Sequence, residues 1–196
     1  MSGFIAFFRG FFIGKIYTKN GDQGYTTLAD GQGLSKAESR IQAIGEIDEL
    51  NCYLGLIITK IPAVKGQNLQ EIQSTLFSLG AHISTDTPEV LGNMKLLSLH
   101  DIVLIEDMID ELESKLKPLR NFILPGGHET ISQVQIARTV CRRAERTLIH
   151  WVLTENKENY QIAIAFLNRL SDYLFMLSRY LHLEQHVPEI PWKSGK

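Results

Sequence analysis

The stretch ARTVCRRAERT, residues 137–147, sets three arginines and a glutamate on one helical face. At about 100° per residue, Arg138, Arg142, Glu145 and Arg146 fall together beside an apolar stripe of Val134, Ala137, Cys141, Ala144, Leu148 and Val152. Guanidiniums so close repel one another unless something negative lies among them. Glu145 brings one charge, and a polyphosphate suits the rest, because the guanidinium fork matches phosphate oxygens. Taken alone, the pattern reads first as a solvated face laced with i,i+3 and i,i+4 ion pairs.

A second cluster lies upstream, in TKNGDQGYTTL, residues 18–28. Its glycines free the backbone to turn amides toward an anion, and Thr18, Thr26 and Thr27 offer hydroxyls. Lys36 follows Ser35 in what reads as a capping box, with Ser35 at the N-cap and Glu38 at the third position. That would place Lys36 in the first turn of a helix, where free N–H groups and partial positive charge favour anions. Together the loop, Lys36 and the arginine face would make a triphosphate cradle. Neither GxxxxGK[ST] nor GxGxxG occurs in the chain.

Other residues give weaker signals. In FLNRLSDYLF and beyond, Phe166, Leu170, Tyr173, Leu174 and Leu177 face a core, while Asn168, Asp172, Phe175 and Arg179 share the opposite side. An exposed Phe175 would suggest contact with another subunit. Asp48 and Asn51 sit just off an apolar stripe, where Asp48 could reach a partner at a helix interface. His182 and His186 have the i,i+4 spacing of a metal pair but no third ligand and no HExxH, which favours a surface or packing role. His128 reads as a helix-start residue.

The elements that must position these residues are helices. Ile41, Ile44, Ile47, Leu54, Ile58 and Ile61 recur at helical spacing up to Pro62. Further helices are expected at about 67–84, from Ser98 to before Pro118, at about 128–154, and at about 158–184 behind an Asn156 cap. NFILPGG, residues 121–127, is a loop, and no strand alternation is visible. The expectation is an all-α five-helix bundle with an irregular N-terminal segment.

With 196 residues, 44% hydrophobic and 21% charged, the chain suits one compact domain. A net charge of −2 gives no general pull toward nucleic acid or anionic lipid. Two separated cysteines, Cys52 and Cys141, suggest neither a disulfide framework nor a zinc site and suit a reducing cytoplasm. The apolar start, residues 1–14, is interrupted by Arg9, too short to span a bilayer and unlike a secretory signal. It reads as a weakly structured extension ahead of a domain over 15–196, the sharper alternative being a membrane-touching anchor.

In order along the chain, IYTKNGDQGYTTL, SKAESRIQAIGEIDELN, NFILPGG, CRRAER and NRLSDYLF resemble the PduO-type ATP:cob(I)alamin adenosyltransferases. The resemblance covers about residues 15–183. It implies a five-helix bundle that forms a homotrimer, binds ATP between neighbouring subunits, and transfers the 5′-deoxyadenosyl group to the cobalt of reduced corrinoid. Adenosylcobalamin and triphosphate would be the products, with Mg²⁺ carried by the ATP.

By that resemblance Thr18, Lys19, Asn20, Gly21, Asp22, Thr26 and Thr27 line the ATP site and Lys36 contacts the phosphates. Arg142, Arg143, Glu145 and Arg146 continue the site, and Asn168 completes it. Asp48 pairs with Arg138 across the subunit boundary. Phe122 lies against the corrin and helps remove its lower axial ligand. The family usually has Thr at the position of Asn20, which keeps hydrogen-bonding capacity and tolerance of turn geometry. A corrinoid reductase and an adenosylcobalamin-dependent enzyme are the implied partners, with no nucleic acid and no membrane span. The competing readings are a non-catalytic carrier that hands adenosylcobalamin to a dependent enzyme, and a nucleotide-sensing or structural trimer.

Overall fold

Apolar residues three and four apart build the helices. The computed structural model describes residues 17, 19–92 and 94–193. The apolar stretch 1–14 and Thr18 lie outside the described residues. Five long helices follow one another: α1 (Ser39–Ile58), α2 (Ala63–Ile83), α3 (Leu99–Glu113), α4 (Glu129–Thr154) and α5 (Gln161–Glu184), with a short 3-10 turn at Pro88–Leu91. They pack in the spatial order α2, α1, α4, α5, α3. The stripes named from sequence form one core: Ile41, Ile44, Ile47 and Leu54 meet Leu69, Ile72, Leu76, Leu79 and Ile83. Val134, Ala137, Cys141, Ala144 and Leu148 meet Phe166, Leu170, Tyr173, Leu174 and Leu177.

Two small antiparallel strand pairs were not expected, one a hairpin and one joining distant segments. β1 (Tyr25–Thr27) pairs with β2 (Gly33–Ser35), and β3 (Ile123–Leu124) pairs with β4 (Ile190–Pro191). Strands of two or three residues are too short to show alternation, so they left no periodic trace.

The first pairing overturns the expected capping box. Ser35 is held opposite Tyr25 in the hairpin, so its backbone cannot open a helix. Its hydroxyl accepts instead from Ala37 N (3.2 Å). A turn follows, and α1 begins at Ser39 with Glu38 at the N-cap and no side-chain cap. Lys36 therefore precedes the helix. At Ser98 the expected start holds: Ser98 and Asp101 form a reciprocal capping box.

Asn156 ends a helix rather than beginning one. It adopts a left-handed φ of 50° just past α4, and Lys157 N donates to Val152 O (2.9 Å). This is the Schellman arrangement, in which Asn tolerates the left-handed position. α5 starts behind Tyr160. His186 plays the same part after α5, with a φ of 55° and Val187 N donating to His182 O (3.0 Å). The i,i+4 histidine spacing is therefore part of a helix stop. His182 is buried, its Nδ1 3.0 Å from Val187 O. It packs so closely on Gly127 that a Cβ there would lie 2.9 Å from the ring.

Candidate active site

The loop after Tyr17 folds by consecutive tight turns. Asp22 N donates to Lys19 O and Gly24 N to Gly21 O, both at 3.2 Å, with Lys19 at a φ of 60°. Lys36 ties this loop to the hairpin: its amide donates to Gly24 O (2.8 Å) and its Nζ to Gly21 O (2.7 Å). A Cβ on Gly21 would lie 2.8 Å from that ammonium. Lys19, Asn20, Asp22 and Thr27 are exposed, and Thr26 is half-buried. Lys36, Ala37, Ile41, Gln42, Gly45, Glu46 and Glu49 line a groove of about 320 Å³ that runs from this loop along α1.

α4 presents different arginines to its two neighbours. Arg143 donates through Nε to Glu46 and through Nη2 to Glu49, stitching α4 to α1. Those carboxylates hold its pKa above the usual guanidinium value. Residues on another part of the helix circumference face α5 instead. Glu145 Oε1 accepts from Asn168 Nδ2 (3.2 Å), so these two predicted residues do meet. Arg138 donates to Gln135 Oε1 (2.7 Å), and Gln135 in turn donates to Ser178 of α5 (2.7 Å). Arg142 is exposed, and its carbonyl accepts from Arg146 Nη1 (2.9 Å). Burial, and then the positive charge of Arg142, lower the pKa of Arg138.

The predicted set thus divides in two. One group, the loop with Lys36, lies by α1. The other, Arg138, Arg142, Glu145, Arg146 and Asn168, lies on the α5 flank of α4. Among the described residues no hydrogen bond or ion pair joins the groups. Asp48 is exposed on α1 and has no ion pair among the described residues. Phe122 is 78% exposed, with Trp192 edge-on at 6.4 Å and Trp192 N donating to Phe122 O (2.7 Å). Leu119, Leu124 and Ile190, also exposed, extend an apolar surface here.

Two expectations on α5 are corrected. Arg179 is buried, not on an open face: it donates to Glu189 Oε1 (2.7 Å) and to Lys117 O (2.9 Å), holding both flanking loops. Phe175 is half-buried against the core. α5 is covered on one side by α4 and on the other by α3, so little of its circumference stays open. The sequence reading also missed Arg40, which is 2% exposed and lies 5.4 Å over Trp151. Its place on the apolar phase of Ile44 and Ile47 was the available signal. Among the described residues no three His, Cys, Asp or Glu side chains converge to hold a metal, so Mg²⁺ finds no ready-made protein cage here.

The chain is thus an all-α bundle carrying a lysine-tethered glycine loop, a second cationic face and an exposed aromatic platform. The family model described as cobalamin adenosyltransferase matches residues 16–181, and the chain belongs to that family. It is 38% identical to the cobalamin adenosyltransferase of Cupriavidus metallidurans over 94% of this chain and 97% of that one. It is 36% identical to the corrinoid adenosyltransferase PduO of Salmonella typhimurium over 89% of this chain, but spans only 52% of that longer protein. The fold matches a phenylalanine-to-alanine variant of a PduO-type ATP:corrinoid adenosyltransferase from Lactobacillus reuteri, complexed with cobalamin and ATP. The TM-score is 0.83 at 35% identity, over 92% of this chain and all of that one.

Proposed function

We infer that this chain is an ATP:corrinoid adenosyltransferase, transferring the 5′-deoxyadenosyl group of ATP to the cobalt of cob(I)alamin. The observation that carries the reading is the match, over nearly the whole chain, to a fold solved with cobalamin and ATP bound together. In the reaction the Co(I) electron pair attacks C5′. A Co–C bond forms, the C5′–O bond breaks, and its electron pair leaves with triphosphate. The corrinoid is the nucleophile, so no side chain has to be one. The protein must hold C5′ against cobalt and stabilise charge gathering on the departing triphosphate.

The loop residues Thr18, Lys19, Asn20, Gly21, Asp22, Thr26 and Thr27 would surround the nucleotide, with Lys36 toward its phosphates. Arg142, Arg146, Glu145 and Asn168 would close it. Arg143, held by Glu46 and Glu49, would contribute by fixing α4 against α1. Within one copy the two groups share no hydrogen bond or ion pair among the described residues, which supports a site between subunits of a homotrimer, with Asp48 pairing Arg138 of the neighbour. Phe122 would face the corrin, where an apolar wall disfavours a polar lower ligand. Mg²⁺ would arrive on the phosphates. A corrinoid reductase would supply the Co(I) substrate, and an adenosylcobalamin-dependent enzyme would receive the product.

No helix among the described residues is long and apolar enough to cross a membrane, and we place the enzyme in the cytoplasm. The test is an anaerobic assay with ATP, Mg²⁺ and cob(I)alamin, followed by the spectrum of the Co–C bond and by triphosphate release. Corrinoid binding without that bond would leave a carrier; ATP binding without corrinoid would leave a nucleotide sensor.

A further inference from the structure

The mounting of the nucleotide loop depends on a residue outside the set assigned above. Asp30 sits at the tip of the β1–β2 hairpin. Its Oδ1 accepts from Gln32 N (3.0 Å), which shapes the tip. Its Oδ2 accepts from Asp86 N (2.9 Å) and from the Thr85 hydroxyl (3.3 Å), just beyond α2. Ala29 N donates to Ser84 O (2.9 Å), and Leu28 is buried in the core. The receiving end is itself braced. Arg40 donates to Ile83 O (2.6 Å) and to Asp86 Oδ2 (2.8 Å), and Lys157 donates to Asp86 Oδ1 (2.8 Å). A helix C-terminus offers unpaired carbonyls and partial negative charge, so a guanidinium and a hairpin amide suit it. Burial raises the pKa of Asp30, but the amides of Asp86 and Gln32, the Thr85 hydroxyl and the Arg40 charge outweigh it and hold the carboxyl below its usual value.

We propose that Asp30 is a positioning residue for ATP: it fastens the hairpin tip to the end of α2 and so fixes the 19–24 loop at the hairpin's other end. The proposal rests on the adenosyltransferase reading. The loop is bound to the hairpin base by both Lys36 contacts, so the paired strands act as a short beam between two mounts. With the tip released, the beam pivots and ATP must order the loop as it binds, an entropic cost that falls on affinity. Once ATP is saturating, the transfer step is the same.

The experiment uses the full chain with Asp30→Ala, Asp30→Asn and, as a remote core control on α3, Ile105→Val. It measures Mg-ATP affinity by calorimetry, KM for ATP and kcat, cob(II)alamin affinity, and amide hydrogen exchange over residues 19–35. Asp30→Ala is expected to raise the ATP Kd and KM by about fivefold to tenfold, to leave kcat within about twofold, and to speed exchange over 19–35. Cob(II)alamin affinity stays unchanged. Asp30→Asn, which keeps one acceptor oxygen, falls between; Ile105→Val moves none of these. Undiminished ATP affinity in a folded Asp30→Ala protein overturns the proposal. So does an equal loss of kcat and corrinoid affinity, which marks a general structural role. An unmodified chain that binds no ATP overturns the functional reading instead, and exchange over 19–35 still reports whether Asp30 holds the hairpin.

Discussion

Arg142 and Arg143 are neighbours in sequence with different work, because one residue of helix turns a side chain by about 100°. Arg143 is neutralised within the chain by Glu46 and Glu49, whereas Arg142 is exposed and its charge bears on Arg138. On the proposed function, Arg142→Ala would remove a charged hydrogen bond to phosphate, of about 1.5–3 kcal/mol. ATP affinity or turnover should fall at least about tenfold, and unchanged kinetics would count heavily against the assigned role. Phe122, projecting from its loop with 78% of its surface open, has little to lose in the fold. Phe122→Ala should spare ATP binding and impair formation of four-coordinate Co(II) corrinoid. A spectrum showing that species undiminished removes Phe122 from the mechanism.

At the scale of elements, polar staples join what the core alone leaves free to slide. Lys65 of α2 reaches Glu111 of α3 (2.8 Å) and lies 5.5 Å over the Tyr180 ring of α5; Lys115 meets the same glutamate at 2.6 Å. Those bonds, Lys115 first and Lys65 next, lower the Glu111 pKa from 4.5 to about 2. A depressed carboxylate stabilises the fold fully above its unfolded pKa and loses that contribution as pH falls through the folded one. The α2–α3 join should therefore weaken between about pH 4.5 and pH 2. Glu111→Gln should flatten the stability-against-pH curve across that window in chemical denaturation. An unaltered curve would show that Glu111 carries none of the acid sensitivity. Because Glu111 is about half exposed, solvent screens the pair and the effect should be modest.

At the scale of the whole molecule, the proposed site calls for assembly: one copy would offer the loop groove and another the Arg142 face. Asp48, exposed on α1, and Arg138, short of negative partners, are the pair expected to close that joint. Asp48→Arg or Arg138→Asp alone should reduce the trimer in sedimentation and lower ATP affinity. The double reversal should restore both, since the attraction depends on opposite sign and not on which side carries which charge. A trimer indifferent to all three variants would place the joint elsewhere.

The sequence by itself determined the five helices and most of their buried faces. A 3.6-residue period is a local property, and a full-length stripe such as Leu69 to Ile83 repeats it many times. Ends were less legible. Ser35 and Asn156 both suit caps, yet pairing with Tyr25 takes one and a left-handed helix stop takes the other. The strand pairs, the burial of Arg179, and the Arg40–Asp86–Lys157 brace were decided only by tertiary structure. So was the separation of Arg143 from Arg142. Each depends on which groups from distant segments arrive within hydrogen-bond reach, and short strands or single charges carry no periodic record of a partner 40 or 90 residues away.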